Sequence, residues 1–181
     1  TKNFSTMYFT RCPNHKKRES GCQIMKSSRS GSTWSEPVTV EITSVDSLDV
    51  VGHPTLSSDE LRLFFASERR NGMGGKDIWF SERESTSEKF GRPRNLGAII
   101  NTEGDELYPY MRNDSTLYFA SDGHGGMGGL DIFVTTLDSL GEWTKPVNLK
   151  SPINSIGNDY GISFHPSEER GFFISNRDVK N

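Results

Sequence analysis

The chain has 181 residues, 32% of them hydrophobic and 25% charged, which suits one globular domain with a modest core. A formal net charge of −3 provides no basic field for nucleic acid. No run of about 18 apolar residues offers a bilayer-spanning helix.

Self-similarity organises everything else. In chain order, "STMYFTRCP", "LRLFFASER", "STLYFASDG" and "RGFFISNRD" carry Tyr8, Phe64, Tyr118 and Phe172 in register, with spacings of 56, 54 and 54. Behind them, "GCQIMKS", "GGKDIWF" and "GGLDIFV" place Gln23, Asp77 and Asp131 at intervals of 54. A third landmark is an aromatic residue followed by proline: Trp34, Phe90 and Trp143 in "WSEPV", "FGRPRNL" and "WTKPVNL".

Each unit predicts four short strands. The first is of the type "YPYMRND" or "GISFHPSEE", the second "TLYFAS", the third "DIFV" after a glycine loop, and the fourth an outer strand in "GEWTKPVNL". Aromatic and β-branched content and turn residues favour strands, and no 3.6-residue apolar period competes. The expected fold is therefore all-β: a β-propeller of four-stranded antiparallel blades with a repeat of about 54 residues. The blades fall at 1–48 (incomplete), 49–101, 102–154 and 155–181 (incomplete), and the four units hold three, four, four and two strands, thirteen in all. Because the first and last blades are cut internally, the reading expects a section of a longer propeller.

The glycine loops "SERRNGMGGKDIWF" and "SDGHGGMGGLDIF" invite comparison with a phosphate cradle. Such cradles open a helix, whereas these open a strand, and no Lys-Ser or Lys-Thr follows the glycines. A turn role explains more. Gly123, Gly125, Gly126, Gly128 and Gly129 are expected to supply positive φ. Asp77 and Asp131, with Gly75 and Gly129 beside them, are expected to clip each hairpin by accepting hydrogen bonds from loop N–H groups. The first unit lacks this chemistry and instead holds the two cysteines, Cys12 at the place of Asp122 and Cys22 at that of Leu130. A cross-hairpin disulfide there would replace the clip and point to an oxidising compartment; the alternative is two free, half-buried thiols.

The stretch "INTEGDELYPYMRNDSTLYFASDGHGGMGGLDIF" resembles the TolB-type, WD-like propeller repeat of Bacteroidetes envelope proteins, and "INSIGNDYGISFHPSEERGFFISNR" resembles a repeat of their OmpA-family members. The layout is similar to that of a type IX secretion-system component of this family. The resemblance implies a non-enzymatic scaffold in the periplasm, associated with the outer membrane, whose partners are envelope proteins including secretion-system components. It implies peptidoglycan anchoring only through a domain outside these residues, and no cofactor.

Strand connectivity puts the inter-blade links and the glycine loops on one rim. Asn101, Glu103, Asp105, His124, Asn158 and Asp159 are the candidate partner-facing residues there, suited to hydrogen bonding with a protein or, as the alternative, a glycan. Tyr108, Tyr110 and Tyr160 are expected to pack between blades rather than anchor a partner. Enzymatic chemistry finds little footing. "SSRSGSTW" approaches the sialidase Asp-box through Ser27, Gly31, Thr33 and Trp34, but Arg29 stands where Asp belongs. Glu103, Asp105 and Glu106 are the carboxylates available for glycoside hydrolysis, and a solvated surface is the simpler reading of them. His53, His124 and His165 are read as single histidines near turns, and His15 as one of a basic, exposed cluster. Asn101, Glu103 and Asp105 lack EF-hand spacing for calcium.

Overall fold

In the computed structural model, residues 1, 4–13, 21–45, 49–165, 167–168 and 170–178 are described. Within them there is no helix, and every named strand belongs to an antiparallel sheet. Sheet one joins β1 (Thr6–Arg11), β2 (Gln23–Ser30), β3 (Thr33–Trp34) and β4 (Val38–Thr39). Sheet two runs β5 (Val51–Leu56), β6 (Arg62–Ser67), β7 (Asp77–Glu82), β8 (Arg94–Asn95). Sheet three repeats it with β9 (Glu106–Met111), β10 (Thr116–Ser121), β11 (Asp131–Thr136), β12 (Val147–Asn148), and β13 (Asp159–Phe164) pairs with β14 (Gly171–Ser175).

Fourteen strands replace the expected thirteen. The outer piece of the first unit is split, β3 pairing with Arg29 and Ser30 and β4 with Met25 and Lys26. The aromatic-proline landmarks also separate. Phe90 is 1% exposed and bridges Ile42 of the preceding unit, whereas Trp34 is 44% exposed. One motif therefore serves as core in one unit and as surface in another, while Trp143 is partly buried against the core shared by sheets two and three.

The two middle sheets are sandwiched, and the strand chemistry follows. Antiparallel pairing places opposed residues on the same face. On β6 and β7, Leu63, Phe65 and Trp79 face sheet one, joining Ile24, Val40, Ile42, Val51 and Phe90 in one core. Phe64 and Ile78 face the other way, meeting Ile100, Met111, Leu117, Phe119 and Phe133. Hence "LFFA" is buried throughout rather than alternating, as in a sheet covered on both faces. The indole of Trp79 keeps its hydrogen bond inside this core by donating to Ser67 O at 3.2 Å.

The innermost strands stand side by side, β1 against β5, β5 against β9 and β9 against β13. In β5, β9 and β13 the pairing register slips at the same place, between Gly52 and Thr55, at Phe119 opposite Tyr108 and Pro109, and between Tyr160 and Ser163. His53, Tyr108 and Gly161 occupy these bulges with φ of 54°, 52° and 64°. Phe65, with no solvent exposure and a core on its face, should be the sharpest probe of sheet-to-sheet packing. Phe65→Ala is expected to lower unfolding free energy by about 3–5 kcal/mol, measured by chemical denaturation.

Candidate functional site

The repeated polar residues assemble at one place, the joint where the connection leaving one sheet crosses the glycine loop of that sheet before entering the next. The joint is built twice from matching residues. Gly75 N–H donates to Gly104 O at 2.9 Å and Glu106 N–H to Lys76 O at 2.6 Å; one unit later Gly129 N–H donates to Gly157 O at 3.2 Å and Asp159 N–H to Leu130 O at 2.7 Å. Side chains complete each ladder. Asp105 Oδ1 accepts from Lys76 N–H at 2.7 Å, and Asn158 Oδ1 from Leu130 N–H at 2.9 Å. Lys76 Nζ adds an ion pair to Asp105 at 3.7 Å.

Behind the ladder lies a buried asparagine. Asn101 accepts from Ile78 N–H at 2.8 Å and donates to Ile78 O at 3.0 Å and Asn95 Oδ1 at 2.8 Å; Asn154 treats Ile132 and Asn148 alike, with all three contacts at 2.8 Å. Each amide thus satisfies both backbone groups of one residue in the third strand, as a neighbouring strand would. A buried carboxylate secures the far side. Glu106 accepts from Thr102 N–H (2.8 Å), Thr102 Oγ1 (2.6 Å) and Ser121 Oγ (2.7 Å). Asp159 accepts from Ser155 N–H (2.6 Å), Ser155 Oγ (2.8 Å) and the guanidinium of Arg177 (2.5 Å). Burial works against the charge on Asp159, but hydrogen bonds from Ser175, Arg177 and Ser155 hold its carboxyl below the usual range.

These facts revise the rim. Asn101 and Asp159 are 1% and 0% exposed, so neither faces a partner. Asp105 and Asn158 are half-buried in the ladder, and His124 is half-buried as well. The ring of His124 contacts Ile100 O at 2.8 Å through Nε2 and packs on Phe119 and Phe133. Of the six candidates, only Glu103 is exposed. The connections and glycine loops do meet as expected, but by hydrogen bonding to each other.

The glycines are needed for a different reason than the one expected. Positive φ occurs at Gly31, Gly97, Gly141 and Gly161, and at none of Gly123, Gly125, Gly126, Gly128 or Gly129. A Cβ on Gly75 would lie 2.3 Å from Asp105 Oδ1, and one on Gly129 2.2 Å from Asn158 Oδ1. Close approach of the next connection, not backbone handedness, excludes a side chain.

Asp77 and Asp131 clip their loops through one oxygen. Asp77 Oδ2 accepts from Met73 N–H at 2.6 Å and Asn95 Nδ2 at 2.8 Å; Asp131 Oδ2 accepts from Met127 N–H at 2.5 Å and Gly128 N–H at 3.3 Å. Both carboxylates are fully buried, and Oδ1 of each has no hydrogen-bond partner. In the first unit Cys12 and Cys22 are disulfide-bonded with Cα atoms 4.1 Å apart, one step beyond the last β1–β2 pair, Arg11 and Gln23.

Two features of the site escaped the sequence reading. The asparagine clamps and carboxylate knots are one recurring string, "NTEGDE" and "NSIGND", whose periodicity was the available signal. The second is the part of His53 in a ring ladder on the inner strands: Tyr108 stacks on Tyr160 of the next unit at 4.8 Å, the packing between units expected of these tyrosines, and His53 stacks on Tyr108 at 3.9 Å. His53 lies within β5, not near a turn, and His15 lies outside the described residues. At the opposite end of the inner strands from the glycine loops is a groove of about 750 Å³, whose walls include Tyr8, Thr55, Tyr110, Arg112 and Phe164. The Arg112 guanidinium lies 4.2 Å from the Phe164 ring centre. Among the described residues no three His, Cys, Asp or Glu side chains gather as a metal site. The "SSRSGSTW" segment forms the β2–β3 hairpin, with Gly31 at φ 61° and Arg29 Nε donating to Gly31 O at 2.8 Å.

Comparison with known proteins bears on the fold only loosely. No family model and no curated protein matches the chain. Among solved structures it is similar to an α-L-arabinofuranosidase from Lactobacillus brevis, at 14% identity and a TM-score of 0.49, over 87% of this chain and 55% of that one. It is also similar to a puromycin-hydrolyzing peptidase of Mycobacterium tuberculosis, at 13% identity and a TM-score of 0.33, over 81% of this chain and 29% of that one. The chain thus spans about half of the first protein and under a third of the second.

Two outcomes test the joint. Asp131→Ala strips two loop N–H groups of their acceptor and should cost about 1–3 kcal/mol in denaturation, whereas Asp131→Asn, which retains an acceptor, should cost clearly less. Reducing the Cys12–Cys22 bridge should lower stability by about 2–3 kcal/mol, read as a fall in denaturation midpoint that a Cys12→Ser/Cys22→Ser double variant reproduces.

Proposed function

We propose that this chain is a section of a β-propeller that acts as a non-enzymatic binding scaffold in a bacterial envelope. One observation carries the reading. Most polar residues of the repeat are engaged in stitching one sheet to the next, so the loops become a rigid edge, and beside exposed Glu103 and Asp122 that edge offers apolar side chains outward. Met73 and Met127 sit at matching tips, 43% and 46% exposed, with Ile156 beside the second at 87%. Methionine and isoleucine on a stiff, hydrogen-bonded rim suit a protein partner, since thioether side chains adapt to apolar surfaces and clustered exposed apolar residues mark contact sites. The disulfide supports an oxidising compartment such as the periplasm. Resemblance of the repeat to TolB-type and OmpA-family envelope proteins supplies the partner class: envelope proteins, with type IX secretion components among them.

A second reading, glycan binding, is favoured by the groove alone, where the rings of Tyr8, Tyr110 and Phe164 alternate with Arg112 and with Glu60 and Asn113. Crosslinking capture from an envelope fraction separates the two, using Met127→Glu as the rim variant and Arg112→Glu as the groove variant. The scaffold reading expects captured envelope proteins to be lost with Met127→Glu and kept with Arg112→Glu. Binding of soluble oligosaccharides that is lost with Arg112→Glu, without rim-dependent protein capture, would transfer the function to the groove.

A further inference from the structure

The ring ladder on the inner strands has no part in the rim or in the joints, yet its first member touches three sheets. His53 N–H donates to Thr10 Oγ1 of β1 at 2.8 Å. Its Nδ1 accepts the backbone N–H of Tyr108 on β9 at 3.3 Å, and its ring is stacked on that of Tyr108, 16° from parallel. Both residues hold positive φ, a conformation unfavourable for side chains of this size. Only a neutral imidazole with its proton on Nε2 can accept at Nδ1.

We propose that His53 is a proton-sensitive latch between the inner strands of sheets two and three: closed while its imidazole is neutral, and released on protonation, when Nδ1 becomes a donor facing the Tyr108 N–H. Its neighbours on the adjoining strands are neutral. From β1 the neighbour is the neutral hydroxyl of Thr10; from β9 it is the Tyr108 ring, itself stacked on Tyr160 of β13, and burial with the nearby Tyr160 raises the pKa of Tyr108, which keeps it neutral below pH 10. The charge that His53 meets is Lys76, from the end of the glycine loop; the Asp105 carboxylate beyond it is engaged with Lys76.

Burial first, and Lys76 second, lower the pKa of His53 from 6.5 to about 4. Because the closed state binds the proton more weakly than the open one, lowering the pH from 6.5 toward 4 favours opening, and raising it restores closure. Because the open form is only half protonated at pH 6.5 and the closed form begins to titrate near 4, the opening equilibrium should grow by about five- to sevenfold per pH unit between 6.5 and 4.5. Pro54, Thr55, Tyr110 and Met111, on the same two strands, are part of the groove wall, so release of the latch reshapes the groove.

Amide hydrogen exchange of Tyr108, corrected for the intrinsic effect of pH, tests this in the intact chain at pH 6.5, 5.5 and 4.5. Protection of Tyr108 is expected to fall about five- to sevenfold per unit, while amides of β6, β7 and β10 keep theirs. His53→Asn, which tolerates positive φ and does not titrate, should abolish the dependence. Protection that is flat in the unmodified protein, a slope that survives in His53→Asn, or an equal loss at all amides would each overturn the latch. Should His53→Asn not fold, NMR titration of the His53 imidazole decides alone: an ordinary value near 6.5 overturns the proposal.

Discussion

The arrangement rests on one constraint: a sheet buried on both faces must still satisfy the backbone of the chain that leaves it. Beyond the two-residue outer strands β8 and β12, the third strand has backbone groups with no further strand to pair them. Asn101 and Asn154 meet this need by presenting an amide to the N–H and C=O of Ile78 and Ile132. Without it the N–H of Ile78 or Ile132 would be left unpaired at a cost of about 1–3 kcal/mol, while the C=O of each also accepts from Leu96 or Leu149 N–H at 3.1 Å. Once it is in place, the following residues are held against the glycine loop, and the ladder between Gly75 and Gly104, or Gly129 and Gly157, follows.

That geometry explains why the same short string combines residues of opposite habit. Glycines sit where two backbones nearly touch, and carboxylates sit where several donors converge. Glu106 and Asp159 do equivalent work with different partners, hydroxyls around the first and a guanidinium added for the second. Arg177 also donates to Pro152 O at 2.8 Å and to Ile153 O, so the last described segment is tied to the preceding connection. Polar burial on this scale is tolerated because nearly every group is paired; among the buried side-chain atoms of the described residues, Oδ1 of Asp77 and of Asp131 are the exceptions.

The first unit shows that the clip, rather than its chemistry, is what the repeat requires. Where Asp77 and Asp131 gather loop N–H groups, Cys12 and Cys22 join the strand ends covalently. On the inner strands a different logic operates. There the contacts are ring to ring and hydroxyl to backbone, Thr10 with His53, Thr55 with Met111 and Tyr110 with Phe164. The rim is therefore stiffened by backbone ladders, and the interior by packing and a few neutral hydrogen bonds.

Much of this was legible in the sequence. The period of the aromatic strands, the Gly-Gly-x-Asp turns and the cysteine placement determined an all-β chain of repeating antiparallel sheets, the loop clips and the position of the bridge, because period-2 strands and turn residues encode local geometry directly. Tertiary structure alone decided which polar residues are buried. "NTEGDE" and "NSIGND" read as solvated rim until the neighbouring sheet arrives, and then Asn101 and Asp159 lose water while Glu103 keeps it. It also decided that Gly75 and Gly129 serve close approach, that Phe90 is core while Trp34 is not, and that His53 bonds to both β1 and β9. Each of these depends on what another unit places within a few ångströms, and a residue's type cannot state its distance to a distant part of the chain.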